Sequence, residues 1–114
     1  MFPDINGIET PAFASLQQHA ETWKTQHMRA LFDQDPTRFD RFSFHQEGML
    51  VDFSKHMITD ETLTLLTDLA ASCQLKEAMD ALFSGGAVNR TENRAVLHTA
   101  LRDQSDRMVV VDGE

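Results

Sequence analysis

Leu75, Ala78, Met79, Leu82 and Phe83 recur at i, i+3, i+4, i+7 and i+8, and Gly85-Gly86 comes directly after Ser84. Apolar side chains at that spacing share one face of an α-helix, and glycine accepts the left-handed backbone that ends one. No other stretch constrains the fold as tightly. It predicts an amphipathic helix with a defined stop.

The segments before it obey the same logic. Thr10-Pro11 predicts a helix start, with Thr10 as the cap and Pro11 at the first helical position, where a missing N–H costs nothing. Phe13, Leu16, Ala20 and Trp23 then fall on one face. A short second helix holds Met28, Leu31 and Phe32 and ends before Pro36, because proline disfavours helical geometry in its predecessor. Phe42–Phe44 and Met49–Phe53 alternate as strands do, and Glu47-Gly48 between them predicts a hairpin turn. Thr59 is expected to cap a further helix, with Asp60 and Glu61 in its first turn, where the helix dipole favours negative charge. Leu66, Leu69, Ala70 and Cys73 form the expected buried stripe of that helix.

After the glycine stop, Asn89 with Glu92 three residues on resembles a capping box, so Asn89–Arg102 is expected to be a last, mostly buried helix. Met108-Val109-Val110-Val111 reads as a strand. A β-branched run without polar alternation usually lies inside a sheet, covered on both faces. Only Asp112-Gly113-Glu114 comes after it, so the partners it wants are expected to lie outside the chain, and a hydrophobic surface is expected around Leu97 and Val109–Val111. The predicted class is mostly α, with a short β-hairpin and one C-terminal strand.

At 114 residues the chain suffices for one domain with a core and not for two. A net charge of −8 argues against nucleic acid or anionic membrane as a partner, since phosphate binding needs clustered Lys and Arg. Cys73 is the one cysteine, which excludes an intrachain disulfide and suits a reducing compartment. No run approaches the roughly 18 apolar residues of a membrane span, and Met1-Phe2-Pro3-Asp4 carries neither a basic leader nor an apolar signal core. A cytoplasmic location is expected.

Each candidate for chemistry has a plainer account. His19 and His27 are eight apart and His45 and His56 eleven apart, neither being the i, i+4 pair of a helical zinc site. Scattered surface or capping histidines fit better than a metal. Arg90, Arg94, His98 and Arg102 step by four, which on a helix makes a cationic stripe able to hold a sugar phosphate. With 18 acidic residues available, carboxylate pairs and carbonyl hydrogen bonds are the better account. Ser84-Gly85-Gly86 lacks the spacing of a phosphate loop or a dinucleotide fingerprint. Asp33 and Asp35, or Asp60 and Glu61, sit where loops and helix starts place solvated charge, without the burial that tunes a general acid or base. No Ser-His-Asp or Cys-His arrangement stands out.

The segments nevertheless form an ordered set. Leu31-Phe32, Arg38-Phe39, Phe42-Ser43, Leu50 to Lys55, Thr59 with Glu61-Thr62-Leu63, Met79 with Phe83-Ser84-Gly85, Asn89 to Arg102 and Val111-Asp112-Gly113 together resemble the amino-terminal region of the glucose-6-phosphate isomerase family. The Asn89–Arg102 block is the most specific of these. Residues 1–30 match only loosely, and Asp103 to Met108 depart from the family's Asn-Arg-Ser-Asn-Thr-Pro-like sequence. The resemblance implies interconversion of glucose 6-phosphate and fructose 6-phosphate without a cofactor. A basic residue opens the ring, a glutamate carries a proton between C1 and C2, an arginine stabilises the enediolate, and Ser/Thr-rich loops hold the phosphate. Those motifs map past Glu114 and members are several-fold longer, so the resemblance implies no catalytic, substrate-binding or metal residue here. It implies a largely helical layer over one of two α/β domains of an intertwined homodimer. The chain is then expected to be inactive alone and able to self-associate. The alternative is a non-catalytic helical interaction module derived from that family.

Overall fold

The computed structural model describes residues 2–106 and 108–111. By its internal contacts the chain divides into two units, Pro11–Thr67 and the residues flanking it on both sides.

Within Pro11–Thr67, α1 (Pro11–Glu21) starts at the proline as expected, and α2 (Met28–Gln34) stops before Pro36. His27 caps α2, its ring Nδ1 accepting from the Arg29 amide at 3.3 Å. A single helical turn, α3 (Arg38–Arg41), comes after Pro36-Thr37. Asp35 organises it by accepting from the Thr37 amide at 3.0 Å and hydroxyl at 2.6 Å. Antiparallel β1 (Ser43–Gln46) and β2 (Met49–Asp52) then pair Phe44 with Val51 and Gln46 with Met49. Glu47 and Gly48 both take positive φ, 50° and 80°. That is the two-residue turn whose twist matches the flanking strands.

Helix α4 (Asp60–Ser72) begins with a reciprocal cap. Thr62 Oγ1 accepts from the Thr59 amide at 3.0 Å and Thr59 Oγ1 from the Thr62 amide at 3.4 Å, with threonine in the place where such boxes carry Glu or Gln. The expected stripe of Leu66, Leu69, Ala70 and Cys73 is not what this helix buries. Leu66 is exposed, the other three are half-buried, and Thr62 is the buried residue. Its hydroxyl serves both the cap and a histidine of α1.

In the flanking unit, α5 (Leu75–Phe83) ends as predicted. Gly85 has φ 79°, and the Gly86 amide bonds back to the Ala81 carbonyl at 2.8 Å, the closing bond of a Schellman motif. Cys73 is free and half-buried, and its Sγ lies 3.1 Å from where a side chain on Gly7 would begin.

Two expectations fail here. Asn89–Arg102 is not a helix and is not mostly buried. Asn89 and Arg94 exchange backbone hydrogen bonds at 3.0 and 3.1 Å around a four-residue loop, with Asn93 at φ 49°. Asn89 Oδ1 accepts from the Glu92 amide, so the same signature that begins a helix closes an isolated turn. Only a 3-10 turn, Ala100–Arg102, comes later, and Leu101 is 87% exposed. A helix is held mainly by packing of its apolar face, which this segment does not achieve.

Met108–Val111 is likewise not a strand, since β1–β2 is the one sheet among the described residues. Backbone groups of a strand need a neighbouring strand to pair with. The run lies instead against the helix stop: a Cβ on Gly85 would meet the Val110 carbonyl at 2.8 Å and the Val109 and Val111 methyls at 3.2 Å. The expected hydrophobic surface is partly there, with Leu97 and Val110 exposed and Val109 and Val111 half-buried. The expected match at Asp112-Gly113 lies outside the described residues. The architecture is mostly helical with one antiparallel hairpin.

Candidate functional site

Among the described residues, polar side chains are buried only within Pro11–Thr67, and they form two clusters. In the first, His19 of α1 meets the start of α4. His19 Nε2 lies 2.8 Å from Thr62 Oγ1 and accepts from Trp23 Nε1 at 3.0 Å, while Nδ1 lies 3.5 Å from Glu61 Oε2. Both His19 and Thr62 are buried and Glu61 is largely exposed. An open hollow of about 370 Å³ lined by Ser15, Gln18, His19, Thr22, Glu61 and Leu65 runs beside them.

The order carboxylate, imidazole, hydroxyl is that of a nucleophilic triad. Its bonding argues otherwise. Thr62 Oγ1 is already an acceptor in the α4 cap, and the indole N–H occupies the same ring nitrogen that a general base would use. The cluster ties α1 to α4.

In the second cluster, Arg38 is 2% exposed. Its Nε donates to the Ser54 carbonyl and its Nη2 to the His56 carbonyl, both at 2.6 Å. The guanidinium lies 4.7 Å from the Phe42 ring centroid and 5.7 Å from that of Phe32. Arg38 thus fastens the segment after the hairpin to α3, with carbonyl dipoles and aromatic faces receiving the charge. Its fixed donor fork is committed to protein, not to a ligand.

Of the acidic candidates, Asp35 and Asp60 engage neighbouring side chains. The Thr37 hydroxyl, ahead of Arg41, holds the Asp35 carboxyl below the usual aspartate range. Asp52 is lowered in the same way, first by the Ser54 hydroxyl and then by the Ser54 amide. Asp60 pairs with Arg41. Arg90 pairs with Asp4, Arg94 with Glu92, and Arg102 donates to the His98 carbonyl at 3.1 Å. This agrees with the carboxylate-and-carbonyl account, although without a helix no cationic stripe forms. No three His, Cys, Asp or Glu side chains converge as a metal set among the described residues. Nor is any of their helices long and apolar enough to cross a membrane.

The scattered-histidine expectation holds for His27, a cap, and for exposed His45, His56 and His98. It fails for His19. The signal was present: His19 and Trp23 are i and i+4, a spacing at which helical side chains touch. Burial of Arg38 carried no comparable sequence signal, because its partners are carbonyls.

Sequence comparison decides what this fold is part of. The profile of the family Phosphoglucose isomerase matches residues 52–114, more than half of the chain. This chain belongs to the phosphoglucose isomerase family. It is 48% identical over 105 residues to the glucose-6-phosphate isomerase of Nitrosospira multiformis, covering 92% of this chain and 19% of that protein. The chain therefore spans about a fifth of the length of this isomerase relative. A match of 105 residues is longer than the stretch from Leu31 to Glu114, so the likeness also reaches into residues 1–30. The profile match takes in α4, α5 and the Asn89–Arg102 block, whose residues are exposed or half-buried.

Proposed function

We propose that this chain is the amino-terminal part of an aldose–ketose isomerase that interconverts glucose 6-phosphate and fructose 6-phosphate, and that it has no activity alone. The observation that carries the reading is the match to the isomerase relative, which takes up 92% of this chain and 19% of that protein. The geometry supports it: the buried polar groups are committed to one another, and the arginines of the diagnostic block to carboxylates and a carbonyl. Isomerisation needs a base placed over C1 and C2 and a cation for the enediolate. In this reading the complete enzyme is a cytoplasmic, cofactor-independent homodimer of the glycolytic and gluconeogenic route, and sequence beyond the matched span supplies the catalytic groups.

Leu75, Met79 and Phe83 of α5 are about half exposed, as expected of a helix face that the rest of an enzyme would cover. A coupled assay on the purified chain is expected to show no turnover of glucose 6-phosphate. Co-expression with the remainder of the Nitrosospira multiformis enzyme is expected to restore it. Turnover by the chain alone, above that of a mock purification, overturns the reading.

A further inference from the structure

The His19 cluster has a property that isomerisation does not use. An indole N–H can only donate, so the 3.0 Å contact from Trp23 Nε1 requires a lone pair on His19 Nε2. The neutral ring then carries its proton on Nδ1, facing the Glu61 carboxylate at 3.5 Å. Taking a proton from solvent onto Nε2 removes that lone pair. The new N–H opposes the indole N–H and has one acceptor in reach, Thr62 Oγ1 at 2.8 Å. That oxygen can take the bond, because it accepts from the Thr59 amide and its own proton can turn to Thr59 Oγ1 at 3.2 Å. The imidazolium therefore satisfies Thr62 and Glu61 together, and leaves Trp23 without its acceptor.

We propose that His19 is a proton-operated latch. Neutral, it holds Trp23 in the turn after α1; cationic, it binds Glu61 and Thr62 at the start of α4 and releases the indole. Glu61 is the charged group that meets it from α4. The neighbouring charges are engaged elsewhere, Asp60 with Arg41 and Glu21 with Lys24, and the rest of the hollow's lining is uncharged. His19 lines the hollow beside Ser15, Gln18 and Glu61. The two forms differ by one proton and exchange one hydrogen-bond partner for another, so the contact responds to pH while the helices stay in place.

Trp23 is the one tryptophan of the chain, so its emission reports the latch directly. Titrating the 114-residue chain between about pH 5 and 8, the range of histidine switches, is expected to change that emission in a single one-proton step at constant far-UV circular dichroism. His19→Gln abolishes the step, His27→Gln keeps it, and Glu61→Gln moves it to lower pH because the cation loses its carboxylate. Emission that is flat, or a step that survives His19→Gln or ignores Glu61→Gln, overturns the proposal. Trp23→Phe gives a second measurement should His19→Gln fail to fold. Without the indole the neutral ring loses its bond, so the His19 ring-proton NMR titration is expected to move to higher pH. An unchanged titration overturns the proposal equally.

Discussion

Pro11–Thr67 buries six side chains, Leu31 and Phe42 together with the polar His19, Arg38, Ser54 and Thr62; the flanking unit buries none among its described residues. Both units carry helices of ordinary pattern, and α5 has the better apolar spacing of any. The difference lies in what each helix finds to pack against. In Pro11–Thr67, side chains distant in sequence satisfy one another: Arg38 reaches the Ser54 and His56 carbonyls, and His19 reaches Thr62. In the flanking unit, Leu75, Met79 and Phe83 of the same α5 face stay half in solvent, and Leu101 and Met108 are more than four-fifths exposed. Regular secondary structure thus comes at little cost from local pattern, while burial depends on contacts across the chain.

The comparison is broken most directly by a pair of truncations. Phe42 is 1% exposed and lies under the Arg38 guanidinium, so Phe42→Ala is expected to cost about 3–5 kcal/mol and lower the urea midpoint accordingly. Met79→Ala, at an α5 position 49% exposed, is expected to change stability by no more than about 0.5 kcal/mol while reducing binding of a hydrophobic dye. Equal losses at the two positions would show that the flanking unit has a core after all.

A smaller effect tests a tight contact of the flanking unit. Gly85→Ala places a methyl group 2.8 Å from the Val110 carbonyl on a backbone at φ 79°, so a loss of about 1–2 kcal/mol is expected. The companion Gly48→Ala, also at positive φ (80°) but with open space around it, is expected to cost only the backbone part, about 1 kcal/mol. Matching losses in thermal unfolding would mean that Val109–Val111 is not seated on the helix stop.

The smallest effect belongs to acid. The Ser54 hydroxyl and amide hold the Asp52 carboxyl below the unfolded value of 3.8. A carboxylate lowered in this way favours the folded chain above about that pH, and the contribution disappears as pH falls through the lower, folded value. Asp52→Asn is therefore expected to remove part of the stability difference between pH 7 and pH 3, read from urea midpoints at the two values. The effect should be modest, because the carboxylate is solvated. An unaltered pH dependence would show that the turn at Ser54 does not rely on the charge.

Much of the fold was legible beforehand for identifiable reasons. Pro11, Pro36 and Gly85 act through backbone sterics, Glu47-Gly48 through its turn geometry, and the Leu75–Phe83 spacing through helical period, all within a few residues. What misled was also local. Asn89 with Glu92 caps a turn as readily as a helix, and Met108–Val111 is a strand in composition that has no partner strand among the described residues. The candidate site was barely legible. His19 and Trp23 are neighbours by helical spacing, but Thr62 and the carbonyls of Ser54 and His56 lie 43, 16 and 18 residues from the groups they bind.

The sequence by itself determined the start of α1, the stops of α2 and α5, where the hairpin turns, and the isomerase family to which the chain belongs. Those properties reside in backbone preferences and in the order of residues along the chain. Only the tertiary structure decided which residues leave water. It placed a histidine, an arginine, a serine and a threonine in the interior and left the best apolar stripe half outside. The physical reason is that a hydrogen bond or an apolar contact stabilises only when its partner arrives in space, and the partner's position is not written in the neighbouring residues.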